Sequence, residues 1–309
     1  MTTGESDSPG RYIGRFAPSP TGPLHLGSLV AALASFLDAR AAGGVWLLRM
    51  EDLDPPREPP GAADEILRQL EELGMTWDGA VLYQSARIDA YEEILRNLED
   101  RELCYPCDCS RRQVRAMGPV YDGRCRSRAW AHESTPAGTY AVRLLTEPEV
   151  WGIDDRIQGR YEQNLERDTG DFVVRRRDGL FAYQLAVVAD DAFQGINRIV
   201  RGIDLLDSTP RQLYLQSLLG YPRPGYAHFP VLLNEQGQKL SKQHLAAPVD
   251  TRQPAPLLRR ALCFLNHPPP ADLAGPGELL DWAVGNWDIL RIPALHGIPA
   301  SRYERAVTR

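Results

Sequence analysis

The first 50 residues of the chain leave few choices of fold, because they alternate an apolar run, a loop rich in proline and glycine, a helical pattern and a second apolar run. Arg11 to Ala17 reads as a short strand and PSPTGPLHLG as the loop. SLVAALASFLDARAA reads as a helix that stops at Gly43 and Gly44, and Val45 to Met50 as the next strand. Two strands joined through a helix within ~40 residues make a βαβ unit, which calls for a parallel sheet. Such a sheet carries ligands outside the carboxyl ends of its strands, so the loop from Pro18 to Ser28 is the first place to look for a site.

Beyond this unit, Pro55 to Gly61 breaks the chain before an amphipathic helix from Ala62 to Leu73, ended by Gly74, and a further helix runs from Asp89 to Leu103. Between Cys104 and Arg177 the pattern turns irregular and rich in arginine. It reads as an insertion, since LFAYQLAVVADD from Leu180 resumes an apolar, strand-like run able to rejoin the sheet. RQLYLQSLLG forms a helix closed by Gly220, and a tail of short helices punctuated by prolines follows. No internal repeat is visible. The expected organisation is a catalytic sheet in two parts, residues 11–103 and 178–205, split by the insertion 104–177, with a helical C-terminal region over 206–309.

Composition narrows the class. A chain of 309 residues, 43% of them hydrophobic, has material for about two cored domains, which excludes collagen, coiled coil and disorder. No apolar run approaches a membrane span, and the opening MTTGESDSPG is polar and acidic, unlike a secretion signal, so a cytoplasmic protein is expected. Three of the five cysteines crowd into positions 104 to 109, a pattern of metal ligands or reduced thiols rather than disulfides. A net charge of −6 gives no bulk positive field, so any contact with nucleic acid must be local.

The basic residues are lopsided: the only lysines are Lys239 and Lys242, both within Lys239-Leu240-Ser241-Lys242-Gln243, and all the others are arginines. A mobile ammonium on a flexible stem can follow a moving phosphate where a rigid guanidinium fork cannot. The loop carrying His25, Gly27 and Ser28 sits where the first strand hands over to its helix, so backbone N–H groups and the helix dipole can hold a phosphate there. An ordinary turn whose histidine caps the helix would look the same. Together, a histidine and glycine loop and a lysine loop could clamp a triphosphate from two sides during attack at the α-phosphorus.

At these residues the chain resembles a known family. RFAPSPTGPLHLGS is similar to the first signature of class I aminoacyl-tRNA synthetases of the glutamyl type, a variant of HIGH, and KLSKQ to the second, a variant of KMSKS. The resemblance runs over roughly residues 11 to 245. It implies a Rossmann-like parallel-sheet α/β catalytic domain with a zinc-containing insertion and a mainly helical, stem-contact-like C-terminal part. MEDLDPPRE, YDGRCR, RRDGLFAYQLAVVADD and IVRGIDLLDSTPRQ look most like members that esterify queuosine, a modified base in the anticodon of tRNA(Asp).

The resemblance implies that glutamate is held by Arg15, Phe16, Ala17, Pro18 and Ser19 with Glu51, Tyr183 and Arg201, and ATP by His25, Gly27, Ser28 and Lys242. The catalytic groups would be His25, Lys242 and Lys239, with magnesium accompanying ATP. The inventory suits the ligand: two carboxylates and an ammonium call for guanidinium forks and one anion, and Tyr183 adds a neutral hydroxyl. The resemblance also implies a structural zinc on Cys107, Cys109, Tyr121 and Cys125. Cys104 and Cys107 form a Cys-x2-Cys that could instead supply a fourth thiolate in place of Tyr121. Arg111, Arg112, Arg115, Arg124, Arg126 and Arg128, like the run Arg175 to Arg177, form either a basic patch for RNA phosphates or a solvated face.

Only 67 residues follow Lys242, which leaves no room for the anticodon-binding region of an ordinary glutamyl-tRNA synthetase. The expected function is therefore tRNA-independent activation of L-glutamate by ATP and transfer to queuosine-containing tRNA(Asp), by a monomer with no membrane partner. The alternatives are a truncated enzyme charging tRNA(Glu), a zinc-stabilised RNA-binding paralogue without catalysis, and a small-molecule adenylyltransferase.

Overall fold

The computed structural model describes residues 10–128, 140–240 and 247–303. Strand β1 (Ile13–Phe16) pairs in parallel with β2 (Val45–Met50), in the register Arg15 to Leu47, and the short β3 (Leu82–Tyr83) extends the sheet beyond β2. The crossover is α1 (Leu26–Ala41). Its Leu29, Leu33 and Leu37 are wholly buried, and so is most of its remaining surface, because the sheet lies on one side and α8 (Pro254–Phe264) and α9 (Pro276–Gly285) on the other. Trimming any one of those leucines to alanine costs about 2–5 kcal/mol, the price of lost transfer energy plus a cavity.

After residue 180 the chain returns beside β1 in a second, two-stranded parallel sheet, but not by the segment expected. Residues Tyr183–Phe193 form a helix, and the returning strand is β9 (Arg198–Gly202). Leu185, Ala186, Val187, Val188, Ala189, Asp190 and Asp191 are all buried, so this helix shows no polar stripe and its sequence cannot be told from a buried strand by periodicity. Asn197 stitches β9 beside β1, its side chain accepting from Ile13 N at 2.9 Å and its amide donating to Ile13 O at 3.1 Å. Beyond it β10 (Gly225–Phe229) pairs with β9 in parallel. Helix α7 (Thr209–Leu219) ends, as expected, on Gly220 in the left-handed region.

Residues 104–177 supply two separate pieces. Strands β4 (Cys104–Cys107), β5 (Ala141–Leu144) and β8 (Phe172–Arg175) make an antiparallel sheet beside α3 (Ile88–Asp100) and the helix 183–193, with α4 (Arg111–Ala116) alongside the cysteines. The hairpin β6 (Val150–Asp155) and β7 (Gly159–Asn164) packs instead on α7 and β10, where Arg156 N donates to Tyr226 O at 3.0 Å. The short α5 (Leu165–Asp168) leads back to β8, so the helix 183–193 is α6. Helix α2 (Ala62–Glu72) buries Ile66 and Leu70 against the first core, and β11 (Val231–Leu233) pairs with β12 (Gly297–Pro299). Among the described residues no helix is long and apolar enough to cross a membrane.

Candidate active site and cysteine centre

β1 ends on Phe16, stacked on the buried Trp46, and the following loop is pinned by Glu51 N donating to Pro18 O at 3.0 Å. Ala17 and Pro18 are half-buried and Ser19 is exposed, its carbonyl accepting from Thr21 N. The loop closes on His25, which caps α1. Its Nδ1 accepts from Ser28 N at 3.2 Å while Ser28 Oγ accepts from His25 N at 2.8 Å. That reciprocal pair assigns the proton of the neutral ring to Nε2. The cap is thus real, and it orients the imidazole at a helix N-terminus suited to anions.

The lysine segment lies against this loop. A Cβ added to Gly27 would stand 3.0 Å from the His25 ring, tighter than an ordinary contact, and 3.4 Å from Leu240 O, so glycine here leaves the imidazole its place beside the lysine segment. Leu240 N donates to Leu232 O at 2.7 Å, and on the far side Val249 N donates to Leu24 O at 2.9 Å. Lys239 pairs with Asp204. Ser241, Lys242 and Gln243 lie outside the described residues.

Next to the loop, the structure gathers Arg15, Glu51, Tyr183 and Arg201 from β1, the end of β2, the start of α6 and β9. Arg15 Nε donates to Asp191 at 3.0 Å, and Arg49, a guanidinium with no exposure at all, donates to Asp191 at 2.8 Å and approaches Glu51 at 3.5 Å. Arg201 faces Tyr183 Oη at 3.5 Å through one Nη. Burial pushes the Glu51 carboxyl up, with Arg49 and Arg15 pulling it back. Burial also raises Tyr183, keeping its hydroxyl neutral.

Arg49, Asp191, His228 and Asp155 were not found from the sequence. His228 is wholly buried, accepting from Arg201 Nε at 2.9 Å and bonded to Asp155 at 2.6 Å. A signal was there: a charged or imidazole side chain inside an apolar strand, as in VWLLRM and YAHF, is rarely buried without a partner. The adjacent Asp190 turns the other way, taking Gln84 at 2.8 Å, Arg87 at 2.6 Å and Tyr91 at 2.7 Å.

In the insertion, Cys107, Cys109 and Cys125 bring their sulfurs within 4.8 Å of one another. Tyr121 Oη stands 3.4 Å from Cys107 Sγ and 3.9 Å from Cys109 Sγ, and Cys109 and Cys125 are 3.6 Å apart. Tetrahedral zinc with ~2.3 Å bonds to sulfur spaces its ligands at about 3.8 Å, so the donor set fits that metal. Cys104 is excluded by strand periodicity: side chains alternate along β4, so Tyr105 and Cys107 face the cluster while Cys104 faces the other core, among Leu95 and Leu98. Arg143 lies over the Tyr121 ring at 3.7 Å and donates to Cys107 Sγ at 3.3 Å. With the Tyr121 hydroxyl it draws the Cys107 thiol below its ordinary range against the effect of burial. A Cβ on Gly170, whose φ is +69°, would meet Tyr121 O at 2.4 Å, so glycine is needed there for the chain to pass.

The basic patch divides in two. Arg124 pairs with Asp122, Arg126 with Asp171 and Glu166, and Arg128 with Asp108. Arg111, Arg112 and Arg115 are exposed on α4 and form no ion pair among the described residues. In the run Arg175 to Arg177, Arg175 meets Glu92, Arg176 meets Asp54 and Asp178, and Arg177 donates to Asp108 O.

Comparison with known proteins fits this arrangement. The family model for class I tRNA synthetases (E and Q), catalytic domain, matches residues 13–255. The chain is 55% identical over 284 residues to the glutamyl-Q tRNA(Asp) synthetase of Ectopseudomonas mendocina, covering 91% of this chain and 95% of that protein. It is likewise 55% identical over 296 residues to that of Thiobacillus denitrificans, at 93% and 96% coverage. Among solved structures, the glutamate-tRNA synthetase of Elizabethkingia anophelis superposes with a TM-score of 0.77 at 25% identity, over 96% of this chain and 70% of that one.

Proposed function

The chain belongs to the glutamyl-Q tRNA(Asp) synthetases, within the class I tRNA synthetases (E and Q), and from that premise we propose that it activates L-glutamate with ATP without needing tRNA and passes the glutamate to queuosine in tRNA(Asp). In the first step a carboxylate oxygen of glutamate attacks the α-phosphorus of ATP, forming the mixed anhydride and releasing pyrophosphate. In the second, a hydroxyl of the queuosine cyclopentenediol attacks the anhydride carbonyl, loses its proton and expels AMP. The observation that carries the reading is the buried cluster of Arg15, Glu51, Tyr183 and Arg201 beside the His25 loop. Two guanidiniums, one carboxylate and a neutral hydroxyl are the groups that a substrate with two carboxylates and one ammonium calls for.

The chain contributes position and charge rather than a nucleophile. Arg15 and Arg201 orient carboxylates, Glu51 faces the ammonium, and Phe16, Ala17, Pro18 and Ser19 shape the edge of the pocket. Gly27 and Ser28 at the start of α1, with His25 and Lys242, meet the phosphates, and Lys239 supports their loop. Magnesium travelling with ATP supplies charge neutralisation on the phosphates. Cys107, Cys109, Tyr121 and Cys125 would hold a zinc ion that staples the insertion, with no part in the reaction. The protein works as a monomer in the cytoplasm.

The test is glutamate-dependent exchange of pyrophosphate into ATP by purified protein, without RNA and then with tRNA(Glu) or queuosine-containing tRNA(Asp). Exchange without RNA is expected. Exchange only with tRNA(Glu) would make this a tRNA(Glu)-charging enzyme, and none under any condition would leave an RNA-binding protein. Lys242→Ala should lower exchange by about 10²–10³-fold and leave glutamate binding nearly intact.

A further inference from the structure

We infer that His228, oriented by Asp155, is a positioning residue that turns one edge of the Arg201 guanidinium toward the glutamate carboxylate. The inference rests on the glutamate-activating role given above. Arg201 has five N–H donors, and the structure shows where most of them go. Nε donates to His228 Nε2 at 2.9 Å, and one Nη donates to Thr209 Oγ1 and to Gln212 Oε1, both at 2.8 Å. The other Nη is the edge that faces the Tyr183 hydroxyl at 3.5 Å, and so the pocket. The guanidinium therefore cannot rotate without losing three bonds in a site where Arg201 is 5% exposed and His228 is 0% exposed.

The orientation depends on the tautomer of His228. Asp155 Oδ1 accepts from the backbone amides of Ile157 at 3.0 Å, Gln158 at 2.9 Å and His228 at 3.1 Å, while Oδ2 lies 2.6 Å from His228 Nδ1. A carboxylate so supplied with donors stays ionised and only accepts, so Nδ1 carries the proton and Nε2 presents its lone pair to Arg201. Burial, with Arg201 adding to it against the pull of Asp155, lowers the imidazole to about 4, so the ring is neutral at working pH. The Tyr226 ring stacks on it, and Asp204 adds a weaker upward pull. Asp155 comes from the hairpin β6–β7, outside the parallel sheet, so that hairpin helps to aim the substrate-binding guanidinium.

Asp155→Asn tests this directly. Its amide oxygen can keep the backbone donors, but its NH2 then donates to Nδ1, and the proton moves to Nε2, where it opposes the N–H of Arg201. Calorimetric binding of L-glutamate should weaken by about 10–100-fold, with ATP KM in pyrophosphate exchange changed less than about 2-fold. His228→Leu should do the same, and His228→Gln, whose oxygen can replace Nε2 as acceptor, should recover most of the affinity. In ¹⁵N spectra Nε2 should be unprotonated in the native protein and protonated in Asp155→Asn, a readout that needs neither activity nor ligand. Equal losses in the Leu and Gln variants, equal effects on ATP and glutamate, or a protonated Nε2 in the native protein would overturn the inference. Native protein that binds glutamate but shows no exchange would sink the functional reading alone. Exchange that persists with glutamate affinity unchanged in His228→Leu would sink this inference alone.

Discussion

Asp191→Asn is the most informative single change in the molecule, because one carboxylate, 4% exposed, pairs with two guanidiniums that are themselves buried. Asparagine keeps the shape and can still accept one bond, but it removes the charge and places an NH2 against a guanidinium that already offers only donors. Breaking a buried ion pair by removing one partner costs about 3–5 kcal/mol, since the surviving charge stays desolvated. For a chain of this size the midpoint of thermal unfolding moves about 2 °C per kcal/mol, so a fall of about 6–10 °C is expected by circular dichroism. The pH dependence supplies a second check. Burial alone would raise the Asp191 pKa, but Arg15 and Arg49 outweigh it and hold it below the usual range. A folded value below the unfolded one, ~3.9, means that the stabilisation is complete above about pH 4 and is lost as pH falls through the folded value. The gap between native and variant should therefore be flat from pH 5 to 8 and narrow in acid. A shift below about 2 °C at pH 7, or a gap that widens in acid, would refute the reasoning.

Three further outcomes are expected. Cys109→Ser should release zinc in an equilibrium metal assay, whereas Cys104→Ser, on the opposite face of β4, should keep a full equivalent. Gly27→Ala forces a methyl to 3.0 Å from the His25 ring and so shifts the imidazole, so ATP KM should rise about 10-fold or more while glutamate affinity stays within about 2-fold. Gly170→Ala meets both a left-handed backbone and Tyr121 O at 2.4 Å, and should cost about 2 kcal/mol or more in urea unfolding, with the insertion loosening first in proteolysis.

The opening βαβ unit was legible in the sequence because its signals are local: two apolar runs, a helix that buries nearly all its faces, and a pair of glycines at its end. Crowding of Cys104, Cys107 and Cys109 marked a thiol site in the sequence, whereas Tyr121 and Cys125 entered through the resemblance, and period-two alternation along β4 puts Cys104 on the face away from Tyr121. Helix α6 reads as a strand in the sequence because a helix buried from Leu185 to Asp191 lacks the polar stripe that would mark its period. Arg49 and Asp191 were missed for a different reason. They lie 142 positions apart, so no window of sequence shows that each is the other's counter-charge. Separation along the chain hides Asp155 from Arg201 as well, since the link between them is a histidine on a third strand.

Asp190 and Asp191 are neighbours, yet they bond in opposite directions, one to Gln84, Arg87 and Tyr91 and the other to Arg15 and Arg49. Mechanically, α6 is a beam fastened on both flanks. Gln84, Arg87 and Tyr91 on one flank and Arg15 and Arg49 on the other are held by two carboxylates one peptide bond apart, so Asp190→Asn and Asp191→Asn each release one flank and leave the other fastened.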